Sequence, residues 1–359
     1  MKKILIYIGH PAQYMFLRGT IKTLRSKGIK IRLLIKSKDI LEELLINDNI
    51  PYFNILKKIR GISMISILIS LIKRISKVYY HSLIFKPDLM IGTDASIAIV
   101  GRIFSTHRIT IIEDDYKVIK ILGDLTYPFT ETILCPNVCD VGKWNYKKIG
   151  YNGFMKLAYL HPNIFKKQND VIAKYRLPLK FSIIRLSNLA AYHDRDINGL
   201  NHNFLIKIIE LLQSYSISVF ITTEAKIDNI YSEYLLKINP KDMHQILAHS
   251  SILISDSQSM SVEASILGVP SIRISSFVGR ISVLEELEKK YKLTFGVSPE
   301  NYEEVLNKIH EILSMKNFAT VFSNRKLELL KEKIDVNQFL TWFIENYPKS
   351  IKEAKIKKN

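Results

Sequence analysis

Three observations in the sequence predict an α/β fold made of two parallel-sheet domains. The chain has 359 residues, about two domains' length. Apolar runs of strand length alternate with segments of helical period throughout. Those runs lack polar alternation, as expected of strands covered by helices on both faces. Each domain is large enough to bury its own core without staples.

The first half offers strands at 4–8, 31–35, 88–92, 109–113 and 132–135, with helices at 14–26, 38–45, 63–85 and 96–104. The second half repeats the scheme, with strands at 181–187, 218–222, 252–255 and 271–274. Its helices fit 202–215, 240–249, 261–267, 299–314 and 323–334. Asn239-Pro240-Lys241-Asp242 starts a helix with a capping Asn, a first-position Pro and an acid in the first turn. Gly268-Val269-Pro270 ends one helix and opens a strand. The boundary falls near His161-Pro162-Asn163. This gives a Rossmann-like domain at 1–160, a second at 161–335, and a last helix with a basic tail at 336–359. The last helix, 336–346, can pack back across the first domain, and the tail after Pro348 is expected to fray. Two such domains facing a cleft bind ligands at the carboxyl edges of their sheets.

Hydrophobic content of 47% with 24% charged residues is an ordinary globular composition. Fifty-two Lys and Arg against 34 Asp and Glu give a net charge of +18. Such a surface attracts nucleic acid, anionic lipid or phosphorylated substrates. The chain lacks Gly-x4-Gly-Lys-[Ser/Thr], a Cys/His metal cluster and an aromatic-rich RNA motif, so no nucleic acid, metal or cofactor is expected. Cys135 and Cys139 alone are a poor zinc site and suit two reduced thiols. The apolar start, Ile4 to Ile8, is short and no small-residue cleavage site follows. The stretch Gly61 to Ile72 is too short to span a bilayer. The expected location is cytoplasmic, with a peripheral place on the inner face of the membrane left open. That option rests on 55–86, where Lys57, Lys58, Arg60, Lys73, Arg74 and Lys77 flank and punctuate an Ile-rich run. The run is either a core helix with solvated ends or a basic amphipathic patch for anionic lipid.

The strongest chemistry lies in Asp256-Ser257-Gln258-Ser259-Met260-Ser261-Val262-Glu263, after the buried strand 252–255. The first amides of a helix lack partners, and the helix dipole favours an anion there. Ser257 and Ser259 add hydroxyl donors for a phosphate. Glu263, about a turn inside, is placed to accept from ribose hydroxyls. The bland alternative is that Ser259 caps the helix and Glu263 is solvated.

This segment resembles the nucleotide-binding region of glycosyltransferase-B enzymes and of non-hydrolysing UDP-N-acetylglucosamine 2-epimerases. The chain more closely resembles the family called domain of unknown function 354. The resemblance rests on Gly9-His10-Pro11-Ala12-Gln13, Lys86 to Gly92, Tyr151 with Leu157 to Asn163, Tyr192-His193-Asp194, Asp242-Met243-His244, and Asp256 to Pro270. Members often carry histidine where Gln13 and Met15 stand here. The resemblance implies a glycosyltransferase-B-like pair of Rossmann-like domains. It also implies that Asp94 and Glu113 match an Asp and a Glu used in epimerase acid–base chemistry.

His10 leaves the first strand and is either a general base or a residue bonding its own turn. Asp94 follows 88–92 and is either catalytic or a cap for the next helix. Arg185, inside an apolar strand, meets either a pyrophosphate or an internal acid such as Glu224. Ser187 ends that strand, and His193 lies in the polar loop beyond it, within reach of the donor. Thr222 ends another strand beside the base or sugar pocket, and His244 either lies near the nucleobase or caps a helix.

The residues therefore point first to a metal-independent glycosyltransferase. It would move a sugar from a nucleotide-sugar, UDP-linked by expectation, to an envelope glycan or lipid-linked acceptor. Its catalytic candidates are His10, Asp94, Glu113 and His193. Its nucleotide-sugar candidates are Arg185, Ser187, Thr222, His244, Ser257, Ser259 and Glu263. A UDP-sugar 2-epimerase and a non-catalytic envelope-assembly scaffold are the alternatives.

Overall fold

A computed structural model describes residues 2–38, 40–56, 64–186, 202–223 and 229–356. The chain divides into two compact α/β units, residues 1–161 with 334–359, and residues 162–333.

The first unit contains strands β1 (Lys3–Ile8), β2 (Lys30–Lys36), β3 (Phe53–Leu56), β4 (Leu89–Gly92), β5 (His107–Ile111), β6 (Thr132–Pro136) and β7 (Lys148–Tyr151). They form one parallel sheet in the order β3-β2-β1-β4-β5-β6-β7. Around it lie α1 (Pro11–Ser26), α2 (Leu41–Asn47), α3 (Met64–Phe85), α4 (Ala95–Ile103), α5 (Lys120–Thr126) and α6 (Leu157–Leu160). Ile and Leu runs make β1 and β4 almost wholly buried, and β1 pairs with β2 on one side and β4 on the other. Leu5, Tyr7, Leu34, Met90 and Ile97 meet Val78 of α3 in one core cluster. The strand order reverses between β1 and β4, so their carboxyl ends form the switch point where such sheets bind ligands.

The second unit contains α7 (Asp170–Lys174), β8 (Phe181–Leu186), α8 (His202–Ser214), β9 (Ser218–Thr223), α9 (Met243–Leu247), β10 (Ile252–Ser255), α10 (Gln258–Leu267) and β11 (Ser271–Ile274). It continues with α11 (Ser282–Lys289), β12 (Thr294–Val297), α12 (Tyr302–Ser314) and α13 (Phe318–Glu332). Its parallel sheet runs β12-β11-β10-β8-β9, with the switch point between β10 and β8.

The chain then returns to the first unit through α14 (Val336–Glu345) and α15 (Ser350–Ile356). Lys2 closes the end of α14, donating from Nζ to the carbonyls of Ile344, Glu345 and Tyr347 at 2.6, 3.0 and 3.1 Å. The expected frayed tail is instead helical as far as Ile356, with Ser350 Oγ donating to the Phe343 carbonyl at 2.7 Å. Cys135 and Cys139 are buried free thiols. Among the described residues no helix is long and apolar enough to cross a membrane, and no cluster of His, Cys, Asp and Glu could hold a metal.

Candidate functional site

In the second unit the site begins with strand register. Gly296, Arg273, Ser255, Arg185 and Thr222 stand in one row across β12, β11, β10, β8 and β9. Registered partners in a parallel sheet face the same side, so two arginines flank Ser255 near the carboxyl edge. Arg273 is fully buried, and Nη2 pairs with Glu288 at 2.7 Å and Glu285 at 3.4 Å. Its Nη1 approaches Gln258 Oε1 at 3.4 Å, which braces the start of α10 from below. Arg185 is half-buried beside it, at the switch point.

The turn into α10 is held by serine hydroxyls. Ser255 Oγ accepts the Ser257 N–H at 2.8 Å, and Ser257 Oγ caps the helix by accepting the Met260 N–H at 3.3 Å. Because Ser257 caps, α10 starts at Gln258, three residues before the expected start at Ser261. Ser259 is therefore a first-turn helical residue and not the cap. The first amides of the helix have no acceptor within it and point at the switch point. Gly268 ends the helix in the left-handed region, φ 81°, which glycine adopts without a steric cost.

Glu263 lies farther along α10 and is not simply solvated. Its Oε1 meets His244 Nε2 of α9 at 3.3 Å, with both side chains largely buried. The structure thus joins two residues singled out separately in the sequence. Asn239 caps the turn before α9 by accepting the Lys241 N–H at 3.1 Å. Thr222 Oγ1 is buried without a hydrogen-bond partner among the described residues. Ser187, His193 and Glu224 lie outside the described residues.

In the first unit, His10 and Asp94 both cap helices at the switch point. His10 Nδ1 accepts the Ala12 N–H at 3.1 Å, so a neutral ring carries its proton on Nε2. Gln13 ties the two loops together: Oε1 accepts the Gly9 N–H at 2.9 Å and Nε2 donates to Thr93 Oγ1 at 2.6 Å. Asp94 Oδ1 accepts from the N–H and hydroxyl of Ser96 at 2.9 and 2.6 Å, and Oδ2 pairs with Arg74 at 3.1 Å.

Glu113 sits two residues past β5, buried, because the strand ends at Ile111 and not at Glu113 as expected. Its Oε1 accepts the Met155 N–H at 2.6 Å, and Oε2 pairs with Lys156 at 2.5 Å. Asp115 accepts the Asp140 N–H at 2.6 Å. Between them Asp114 makes no hydrogen bond among the described residues. Burial, then the neighbouring Glu113 charge, pushes its carboxyl above the ordinary range despite Lys156.

Three residues passed over in the sequence thus matter here: Asp114, Lys156 and Arg273. Arg273 carried a readable signal, a charge inside the apolar strand Ser271–Ile274, identical in kind to that of Arg185. The partnerships of Asp114 and Lys156 arise only in three dimensions.

Solved structures share this fold along nearly the whole chain. An S. aureus MnaA–UDP complex aligns with TM-score 0.67 at 14% identity, covering 99% of this chain and 98% of that one. UDP-GlcNAc 2-epimerase from Methanocaldococcus jannaschii aligns with TM-score 0.67 at 15% identity, covering 96% and 100%. The spinosyn forosaminyltransferase SpnP aligns with TM-score 0.62 at 12% identity, covering 99% and 99%. The fold is accordingly the glycosyltransferase-B-like pair of Rossmann-like units, shared by epimerases and transferases. A search of curated proteins finds no match to the sequence. The model of one family matches residues 2–319, and the chain belongs to that family, described as Protein of unknown function (DUF354).

Proposed function

We propose that the chain is a glycosyltransferase, moving a sugar from a nucleotide-sugar to an envelope glycan or lipid-linked acceptor. The observation that carries this reading is at the switch point of the second sheet. There Arg185 and the Ser255–Ser257 turn stand at neighbouring strand ends with the first amides of α10, and Glu263, paired with His244 of α9, lies farther along that helix. That order suits a diphosphate followed by a ribose. The fold likeness to a protein described as a UDP complex supports UDP as the nucleotide.

In this reading the second unit holds the donor. Arg185, Ser257, Ser259, Ser187 and the α10 amides take the diphosphate, and Glu263 accepts from the ribose, with His244 and Thr222 beside base and sugar. An acceptor hydroxyl gives its proton to a carboxylate of the first unit, and its oxygen bonds to the anomeric carbon. The bond from that carbon to the diphosphate oxygen breaks with its electron pair, and the cationic site stabilises the charge. Asp94 and Glu113 are both tied into ion pairs, and His10 Nδ1 is taken up by the Ala12 N–H. Asp114, without a hydrogen bond among the described residues and raised in pKa by its burial, is a further candidate to take that proton.

A second reading, a UDP-sugar 2-epimerase, is supported by the likeness to epimerases and by Asp94, Glu113 and His193. Incubating the pure protein with UDP-N-acetylglucosamine in deuterated water, without acceptor, separates the two. Deuterium appearing at C2 would sink the transferase reading. Calorimetry with UDP, GDP and CMP tests the site itself. Full affinity retained in Arg185→Ala and Glu263→Ala would move the ligand elsewhere, and no binding at all would favour a non-catalytic scaffold.

A further inference from the structure

Helix α3 carries an apolar face that the first unit does not cover. Every fourth residue from Ser70, namely Ser70, Arg74, Val78 and Ser82, is buried against the first unit. Two of these satisfy each other, with Arg74 Nη1 donating to Ser70 Oγ at 2.9 Å, and Arg74 also reaches Asp94. Ile75 and Phe85 also pack against the core, but seven large apolar side chains point the other way. At 3.6 residues per turn, Leu68, Ile72, Tyr79 and Leu83 fall on one line of the helix. Ile69, Tyr80 and Ile84 fall on the next line, interleaved with Lys73 and Lys77. All seven apolar residues are between 40% and 58% exposed. A contiguous patch of this kind on a folded domain marks a surface that meets another phase or partner.

We infer that this face of α3 lies on an anionic lipid bilayer. Charge selects the occupant. Helix α3 contains no Asp or Glu, and Lys73 and Lys77 have no ion-pair partner among the described residues. Within α3 the apolar lines are thus interleaved with cations and no acid, and the chain as a whole carries +18. Two copies meeting face to face would oppose like charges, whereas anionic headgroups would neutralise them. Tyr79 and Tyr80 present an apolar ring and a polar tip, which suits the boundary between headgroup and acyl chain.

Co-sedimentation of the full chain with phosphatidylcholine vesicles, with and without phosphatidylglycerol, tests this without any nucleotide-sugar. The wild type should sediment with the anionic vesicles and stay in solution with the zwitterionic ones. Lys73→Gln with Lys77→Gln should weaken partition roughly thirty-fold, from about 1 kcal/mol for each lysine at a charged surface. Leu68→Gln, Ile72→Gln and Leu83→Gln together should abolish it while the protein still melts cooperatively as a folded species, because those side chains are about half exposed. Anionic binding that survives the triple variant would be nonspecific attraction to the +18 surface and would overturn the assignment. So would a wild type that ignores both vesicles, or a sedimentation-equilibrium dimer that the triple variant dissociates.

Discussion

Asp48 shows how strongly one carboxylate can be held. Arg18 Nε and Nη2 reach it at 2.5 Å each, Lys22 at 2.7 Å, and the Tyr14 hydroxyl also donates to it. Burial alone would raise its pKa, but the three donors outweigh burial and hold the carboxyl well below the usual range. A depressed folded-state pKa means stability that is present above the unfolded pKa and lost as pH falls through the folded one. Asp48→Asn should therefore cost about 2 kcal/mol at neutral pH. Thermal melting across pH should show the gap between wild type and variant closing in acid. Asp114 titrates with the opposite sign. Its raised pKa predicts that turnover climbs with pH through a point above the ordinary carboxylate range, and that Asp114→Asn removes most activity along with that limb. If the variant keeps the pH limb, the proton goes elsewhere. Arg185 was legible because a charge in an apolar strand demands a partner. Asp114 was not, because its distinction is the bonds that its neighbours Glu113 and Asp115 make and it does not.

Among elements, the strands read from sequence are those inside each sheet, together with the six-residue edge strand β9. The three left unread, β3, β7 and β12, are all at sheet edges. Each has only four residues and includes partly exposed positions, so it leaves no continuous apolar run. Helix α10 was read in kind but three residues late, since a serine-rich stretch offers more than one cap and the hydrogen bond from Met260 chooses Ser257. Ser257→Ala should lower stability by about 1 kcal/mol through the lost cap. It should also weaken UDP binding measured by calorimetry, whereas Gly268→Ala at the far end should strain the backbone and leave affinity alone. Arg273→Met is expected to destabilise by about 3–5 kcal/mol, because Glu285 and Glu288 stay behind without their buried cation. Chemical denaturation measures it, and a neutral result would remove the arginine's bracing role beneath α10.

At the scale of the molecule, the alternation of apolar runs and helical periods was enough to anticipate two parallel sheets, since periodicity is a whole-chain property. It could not anticipate partners far apart in sequence. That the last helix packs back on the first domain was anticipated; the partners it finds there were not, namely Lys2, which closes the end of α14, and α1, which α14 touches. Val336, Leu340, Phe343 and Ile344 are fully buried there. Ending the chain after Lys333 should therefore unfold or aggregate the first unit while the second keeps its cooperative melt. Calorimetry of the truncated protein would reveal the loss of one transition, and two intact transitions would contradict it.

That return of the chain also orders biosynthesis. On a ribosome, residues 2–161 emerge without the helix that fills their groove, and the whole second unit must be made before α14 arrives. At ordinary elongation rates that interval is on the order of ten seconds. The unit synthesised first is thus the last to be finished, and through that interval the nascent chain carries an unfilled apolar seam that a chaperone could shelter.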